Sequence, residues 1–395
     1  MFASRNLLIL TISIVVLSLG QDMWFGFAPE FLRGLGAGVI ALGLFSSLQD
    51  FFKALYHYPG GWLNDRFGVR VGLVIANLAA GVGYFIYLVS PNFVIVFIGL
   101  PFVMLWPAFV IPATIGLLGD SLPLQKQPAG FALQAIVSRL PGIIAPVVGG
   151  ALIGLLGDVV IGVRAGLAIT IVGAVLTLIL QGLGYKPSAT QRQTIPPLAV
   201  WNEMSGGLKR LLVSEILVSY AEALPRMLIV LYAIKILNAP YLGFGFMLAT
   251  EAAVAVLVKS LLPRIVAGAG QKPIVLISFL LTALFPITVF LAPGWGWLFG
   301  SFVIAGLKAS GGATRGMLKN SLANPDRKGQ HLGFYESLLS LAILPAGIVG
   351  GVLWFFVGAW STFWLALLIG LAGCAVYWAS GPGTLPENSE TRSVA

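Results

Sequence analysis

Residues 50–70 read DFFKALYHYPGGWLNDRFGVR, and this stretch passes from an apolar helix into a short charged turn. At 100° per residue, Asp50, Lys53 and His57 fall within an arc of roughly 60°, so they share one helical face. Glycines allow two helices to approach at a tight turn, and arginines favour the cytoplasmic side of a membrane. The turn combines both types with one acid, in the residues Gly61, Asp65, Arg66, Gly68 and Arg70.

The composition of the 395-residue chain predicts an all-α membrane protein. It is 58% hydrophobic and only 9% charged, with a mean hydropathy of +0.96, whereas a soluble protein carries about 25% charged residues. Apolar stretches long enough to span a bilayer recur throughout. The net charge of +9 would favour nucleic acid only if the bases clustered on a soluble face, and they are spread over the connections instead.

Twelve membrane-spanning helices are predicted from these stretches and from the turn residues between them. No small-residue cleavage site follows residues 6–20 and the apolar run continues, so we expect a spanning helix there and not a signal peptide. The expected spans are about 6–28, 37–60, 70–90, 93–118, 129–156, 160–184, 208–235, 241–264, 273–292, 296–319, 331–357 and 360–380.

Lysine and arginine are unevenly distributed over this predicted topology. With the N-terminus inside, fourteen of the 23 lie at cytoplasmic positions, three lie in external connections and six lie within helices. Such an excess of bases predicts that both termini are cytoplasmic. We therefore expect a multi-pass protein of the cell membrane, either an inner or a plasma membrane.

The longest polar connection predicts how the chain divides. Residues 185–206 are rich in Pro, Ser, Thr and Gln and have no apolar period, which is typical of a linker. The predicted units are an N-terminal six-helix bundle, a cytoplasmic linker, a C-terminal six-helix bundle and a cytoplasmic tail, over residues 1–184, 185–207, 208–380 and 381–395.

The two predicted halves resemble each other at an offset that drifts only between 200 and 204 residues. Asp22 matches Glu222, and Asp50 matches Glu251. The same order continues in Gly68 with Gly270, Arg70 with Lys272, Pro141 with Pro345, Gly149 with Gly350 and Gly150 with Gly351. An ordered set of this kind indicates a duplicated six-helix unit.

The turn between the second and third predicted helices resembles a motif of the major facilitator superfamily. Its pattern is G-x-x-x-D-R-x-G-R-R, and the chain departs from it at Val69, where a base is expected. The resemblance implies two six-helix halves that rock about a site near the bilayer midplane. It also implies that Asp65, Arg66 and Arg70 stabilise one state of that cycle.

The fifth predicted helix carries a partial second motif. Residues 138–150, SRLPGIIAPVVGG, resemble the G-x-x-x-G-P-x-x-G-G element of many proton-driven antiporters, with Ala145 in place of a glycine. The resemblance favours export, while ordinary close packing of small residues in a membrane is an equal alternative. The matching residues are Gly142, Pro146, Gly149 and Gly150.

Ionisable residues inside the predicted spans are candidates for function, because such groups are costly in a bilayer. Glu215, Glu222 and Arg226 form one stripe within roughly 40° of helical arc. The six embedded acids are Asp22, Asp50, Glu215, Glu222, Glu251 and Glu336, and the six embedded bases are Lys53, Arg139, Arg226, Lys259, Lys308 and Arg315. Because acids and bases are equal in number, they can form ion pairs. The net charge of the cavity, and therefore the charge of the substrate, stays undecided.

A carboxylate in a cavity can take up and release a proton near neutral pH, and histidine titrates in that range. The candidates for proton coupling are Asp50, Glu222, Asp22 and His57. Permanent Asp50–Lys53 and Glu222–Arg226 pairs are the alternative. The resemblance places further residues near the cavity, namely Arg226, Lys308, Arg315, Trp24, Trp106 and Tyr220, although packed or lipid-facing aromatics would look the same.

The sequence predicts a transporter and not an enzyme. It has no P-loop, and its two histidines and single cysteine predict neither a metal site nor a disulfide framework. We expect no cofactor, a monomer, and three partners: lipid, a small-molecule substrate and protons. Proton-coupled export of a partly apolar solute is the first expectation. Uptake of a small metabolite or organic anion, or a sensor or assembly role without transport, are the alternatives.

Overall fold

The computed structural model describes residues 5–67, 69–121, 133–134, 136–184, 197–323 and 328–382, and every regular element in these ranges is a helix. The predicted all-α class is therefore confirmed. The first-half helices are α1 Arg5–Trp24, α2 Ala28–Gly34, α3 Val39–Phe67, α4 Val69–Val89, α5 Phe93–Ser121, α6 Pro141–Leu156 and α7 Val159–Gly184. The later helices are α8 Pro197–Glu203, α9 Gly206–Ala223, α10 Arg226–Leu231, α11 Tyr241–Ala269, α12 Gln271–Phe290, α13 Leu298–Leu322, α14 Lys328–Phe356 and α15 Ala359–Ser380.

Ten helical stretches in the described part of the chain are long and apolar enough to cross a membrane, so the protein is a multi-pass membrane protein. Helix α6 is apolar but has only 16 residues. Helix α13 has 25 residues but carries Lys308, Arg315 and Lys319. The predicted number of twelve spans and their division into two bundles stay predictions.

Two of the predicted spans are interrupted in their second halves. The first changes to a 3₁₀ turn at Phe25–Phe27 before α2, and the seventh breaks between Ala223 and Arg226. Pro225 explains the second break, because proline has no N–H and its ring disfavours a continuous helix. The breaks lie about 200 residues apart, in agreement with the repeat. Beyond Leu231 the chain forms a π-helical turn, Tyr232–Ile236.

The helices before residue 185 pack mainly on one another, as do those after residue 206. In the first set α1 contacts α6 and α7, and α4 contacts α5 and α7. In the second set α9 contacts α15, and α13 contacts α11 and α12. Two extensive contacts join the sets, one between α3 and α14 and the other between α6 and α11.

Both of these contacts depend on glycine. A Cβ atom at Gly43 of α3 would collide with the Gly347 backbone of α14, and one at Gly150 of α6 would collide with the Tyr241 backbone of α11. Helices approach this closely in lipid where small residues replace larger ones, since the gain comes from van der Waals contact between backbones.

Candidate functional site

An ion pair joins the two sets of helices at the middle of the molecule. Asp50 on α3 accepts hydrogen bonds from Arg226 Nη1 on α10, at 3.1 Å to Oδ1 and 3.0 Å to Oδ2. Lys53, one turn along α3, donates to Oδ1 at 3.1 Å. The Asp50 side chain is only 1% exposed, and a buried carboxylate requires such partners. The Asp50–Lys53 pair offered by the sequence is therefore present, together with a second base that the sequence did not assign to it.

A second ion pair lies between α9 and α13. Lys308 Nζ donates to Glu222 Oε1 at 2.8 Å, and the Lys308 ammonium also lies 4.7 Å from the centre of the Phe285 ring. The proposed Glu222–Arg226 pair is not observed, because Arg226 contacts Asp50. Glu222 lies about sixteen residues, or roughly 24 Å, along its span, yet 44% of its side chain is exposed. An ionisable side chain at that depth in a membrane-spanning helix is a candidate for function, because such groups are costly in hydrocarbon.

Arg315, predicted to line the cavity, belongs to a buried network on the same helix as Lys308. Its Nε lies 2.9 Å from Glu215 Oε1, and Lys319 Nζ lies 3.0 Å from Glu215 Oε2. Lys319 also donates to Glu336 at 2.7 Å, and the Tyr335 hydroxyl donates to Glu215. Lys319 lies at the predicted cytoplasmic end of the span 296–319, yet its side chain is buried. Lys319 follows Arg315 by four residues and so shares its helical face. This spacing could have indicated that both bases face the same acid.

A third pair of opposite charges lies at the predicted external side. Glu30 on α2 is 2% exposed, and its Oε2 lies 3.3 Å from Lys235 Nζ in the π-helical turn. Arg33, one turn along α2, lies 3.6 Å from Oε1. This contact also joins the two sets of helices. Arg33 and Lys235 are two of the three bases predicted in external connections, and Glu30 is not among the six acids predicted inside the spans.

Two of the embedded acids stand apart from these pairs. Asp22 on α1 and Glu251 on α11 are half-buried, and neither has an ion-pair partner within 4.0 Å in the described ranges. Gly142 of α6 lies between them, because a Cβ there would be 3.6 Å from Asp22 Oδ2 and 3.4 Å from Ala252 Cβ.

The motif of the fifth predicted helix lies at the contact between α1, α6 and α11. A Cβ at Gly149 would collide with the Met23 backbone, and the Pro146 backbone occupies the space beside Gly245 of α11. Together with Gly142 and Gly150, these residues let α6 lie close to a helix on either side. The arrangement provides the close packing that their small size predicts.

The predicted cavity aromatics are mostly core residues. Trp24 is 2% exposed and packs edge-on against Tyr84 and Tyr87, with ring centres 6.0 and 5.7 Å away. Trp106 is buried as well, and Tyr220 is half-buried in the second set of helices. For the two tryptophans the geometry is that of packed aromatics, the alternative left open by the sequence.

The charged turn of residues 61–70, which resembles the family motif and is predicted to act as a conformational gate, lies at the junction of α3 and α4. Helix α3 continues through Gly61, Asp65 and Arg66 to Phe67, past the predicted end at residue 60, and α4 starts at Val69. Gly68 lies outside the described residues, as do the side chains of residues 57–70, which include His57 and Arg70. The roles of the motif and of His57 stay predictions.

Within the described ranges, no three His, Cys, Asp or Glu side chains lie close enough to hold a metal ion. The polar side chains described in the helices are acids, bases, amides and hydroxyls, and many of them contact one another. The arrangement can take up protons at carboxylates and hold charged or hydrogen-bonding parts of a solute.

Solved transporters share this fold. The structure superposes on a POT family transporter in complex with a thioalcohol-conjugated peptide, with a TM-score of 0.78 over 95% of each chain. It also superposes on a variant of the nucleoside transporter NupG, with a TM-score of 0.73 over 94% of this chain and 100% of that one. The superposition on the human organic anion transporter MFSD10 (TETRAN) has a TM-score of 0.72 and covers 95% of this chain and 99% of that one. Identity is 14% in each case, so the likeness shows the fold alone.

Sequence comparison gives a more specific relationship. The Quinolone resistance protein NorA of Staphylococcus aureus is 22% identical over 147 residues, which are 37% of this chain and 38% of NorA. The chain thus matches less than half the length of this relative. The family profile of the Major Facilitator Superfamily matches residues 10–221, more than half of the chain. The chain therefore belongs to the Major Facilitator Superfamily.

Proposed function

We propose that the protein exports a small, partly apolar molecule in exchange for protons, through alternating access of two six-helix halves. It acts as a monomer in the cell membrane with both termini in the cytoplasm. The observation that carries the proposal is the exposed Glu222 carboxylate at mid-span, beside the Asp50–Arg226 pair that joins the halves. The relative NorA is named for quinolone resistance, which favours a quinolone as the first solute to test.

The halves would rock about the contacts of α3 with α14 and of α6 with α11. At the predicted external side, the Glu30–Lys235 pair and the glycine contacts at Gly43 and Gly150 hold the two sets together. Transport then requires that these contacts open while the cytoplasmic ends approach each other. Asp65, Arg66 and Arg70 would stabilise the state in which the cytoplasmic side is closed.

The four coupling candidates differ in their surroundings. Asp50 has two basic partners and Glu222 has one, so a proton on either would leave a base without its counter-charge. Asp22 has no such partner in the described part of the chain and is the stronger candidate. His57 stays a candidate for proton coupling because histidine titrates near neutral pH.

A second function is uptake of an organic anion or small metabolite together with protons. Arg226 and Lys308 favour it, since both are partly exposed at mid-depth and protonation of nearby acids would free them for an anionic group. A protein that does not transport is less well supported, because Asp22 and Glu251 are not held in ion pairs.

Reconstitution into liposomes tests the proposal directly. A fluorescent quinolone antibiotic is the probe, and a pH gradient of either sign is the driving force. We expect accumulation of the quinolone against its gradient only when protons flow the other way, with pH-driven flux lost in Asp22→Asn. Driven accumulation in the same direction as the protons would favour uptake. Absence of flux for quinolones, nucleosides and organic anions alike would refute transport of these classes.

A further inference from the structure

The duplicated acids of the two halves have different surroundings. By the internal repeat, Asp22 corresponds to Glu222 and Asp50 corresponds to Glu251. One member of each couple has an ion-pair partner, namely Glu222 and Asp50. The other member of each couple, Asp22 or Glu251, has none in the described ranges.

The missing partners explain the difference. Arg226 and Lys53 correspond to Gly26 and Val254 in the other half, at the offsets of 200 and 201 that relate the acids. Lys308 corresponds to a position within 104–108, which holds no base. The acids are thus duplicated, whereas each basic partner occurs in one half only. The unpaired acids are left in opposite halves, Asp22 on α1 and Glu251 on α11.

Arg139 is a base near the contact of α6 with the two helices that carry these acids. It sits at the break before α6, where hydrogen bonds from residues 139 and 140 reach carbonyls only three residues earlier. Its carbonyl accepts a hydrogen bond from the Gly142 N–H at 3.1 Å, and a Cβ at Gly142 would lie 3.6 Å from Asp22 Oδ2 and 3.4 Å from Cβ of Ala252, the residue after Glu251. The exposed Arg139 side chain thus starts one turn before the contact of α6 with both acid-bearing helices, and its positive charge acts on Asp22 and Glu251. It nevertheless forms no ion pair within 4.0 Å in the described part of the chain.

Because of how α6 packs, movement of the halves affects the distance from Arg139 to Asp22 differently from the distance from Arg139 to Glu251. Helix α6 packs on α1 and α7 of its own half and on α11 of the other half. Arg139 and Asp22 therefore move together. The distance from Arg139 to Glu251 crosses the contact between the halves and changes when that contact opens.

We propose that Asp22, Arg139 and Glu251 form the proton site of the transport cycle, with Arg139 as a positioning residue whose distance from Glu251 depends on the state of the two halves. The inference rests on the proposed transport function. A proton from water on one side adds to a carboxylate oxygen, and the same proton leaves to water on the other side. With both acids ionised the triad carries one net negative charge, which one proton neutralises.

Movement of one charge by several ångströms is enough to change the protonation of a nearby carboxylate. At an effective dielectric constant of about 20, increasing the separation of two unit charges from about 6 to about 12 Å changes the equilibrium for protonation about tenfold. Other charged or titratable groups act on the same acids, namely Tyr84 for Asp22, Lys308 and Glu222 for Glu251, and Lys259, which also experiences Arg139. Lys308 and Glu222 are on the same side of the α6–α11 contact as Glu251, so their effect changes less.

Infrared difference spectroscopy of the full protein in liposomes tests the site without a substrate. Titration between roughly pH 5 and pH 8 should reveal the C=O stretch of a protonated carboxyl group. We expect that band to be lost or halved in Glu251→Gln and in Asp22→Asn. Arg139→Gln should move its midpoint upward by about one pH unit, and Arg139→Lys should restore it. Arg264→Gln, an exposed base further along α11, is the matched control and should change nothing. An unchanged band in both acid variants would overturn the inference.

A transport assay separates this inference from the proposed function. In Glu251→Gln we expect quinolone counterflow, which needs no net proton movement, to stay within about threefold of wild type. Accumulation driven by the pH gradient should fall at least about tenfold. If the wild-type protein shows the infrared band but moves no quinolone, the proposed substrate is wrong and the proton site stands. If wild type accumulates quinolone and both acid variants do so equally well, the proton site is wrong.

Discussion

Arg226 on α10 donates from a single nitrogen to both carboxylate oxygens of Asp50 on α3, at 3.0 and 3.1 Å. The two residues are 176 positions apart in the chain and belong to helices on either side of the linker. Because Asp50 is almost fully buried and also binds Lys53, this contact is a structural connection between the halves. Its loss in the transport cycle would leave a buried charge without a partner.

Removal of the Asp50 charge should therefore affect stability before it affects coupling. In Asp50→Asn, Arg226 and Lys53 both lose their counter-ion, and we expect a loss of about 2 kcal/mol or more in the free energy of unfolding. Thermal unfolding in detergent measures it. The double variant Asp50→Asn with Arg226→Gln should recover part of the loss, since the pair is removed together. Additive losses in the double variant would show that the two side chains do not interact.

The Glu215 network predicts a second effect on stability. Lys319→Ala leaves Glu215 with Arg315 alone and Glu336 without its lysine, and should cost roughly 3 kcal/mol. Tyr335→Phe removes only one hydrogen bond to Glu215 and should cost about 1 to 2 kcal/mol. Arg264→Ala, at an exposed position, is the control and should lower the free energy of unfolding by less than about 0.5 kcal/mol. Equal melting temperatures for the Lys319 variant and this control would contradict the network.

Two glycines of α6 offer a matched test of close packing. A Cβ at Gly150 meets the Tyr241 backbone of α11, whereas a Cβ at Gly154, one turn later, has nothing within 4 Å. Gly150→Ala should therefore separate α6 from α11 and reduce both folding yield and transport, because backbone atoms cannot move aside alone. Gly154→Ala should behave like wild type or be slightly more stable, since alanine favours a helix. The opposite order would show that this contact does not set the packing.

The Glu30–Lys235 pair predicts a change in the balance between states. Lys235→Gln leaves the buried Glu30 with Arg33 at 3.6 Å as its nearest base, which weakens the state in which the external side is closed. We expect faster labelling of a cysteine introduced at the buried Ala28 by a membrane-impermeant reagent, in a Cys374→Ser background. The control is again Arg264→Gln. The external base Arg164 is not used for this purpose, because it donates a hydrogen bond to the Ser90 carbonyl. Labelling at the wild-type rate would refute a role for this pair in closing the external side.

Much of the architecture could be predicted from local pattern. Apolar length predicted the helices, and their interruption by Pro, Gly and charged residues gave boundaries that mostly agree within a few residues. The exceptions have physical causes. Helix α3 runs on to Phe67, since the polar residues after residue 60 do not prevent helical hydrogen bonding, and the break at Pro225 had no counterpart in the apolar pattern.

The partners of the charges could not be predicted in the same way. Spacing along one helix correctly offered Asp50–Lys53, because residues three apart on a helix are neighbours whatever surrounds them. The same rule failed for Glu222, whose partner is Lys308, 86 residues away. It also missed Glu30 with Lys235 and Glu215 with Lys319, since each pair forms only when separate helices pack.

The sequence by itself determined that this protein is a helical membrane protein and predicted a duplicated design, because hydrophobic length and the order of repeated residues are properties of the chain alone. Only the tertiary structure decided which acids form ion pairs and which, Asp22 and Glu251, have no such partner among the described residues. Ion pairing depends on distances of a few ångströms between helices, and those distances are set by glycine contacts and side-chain packing that no single helix contains.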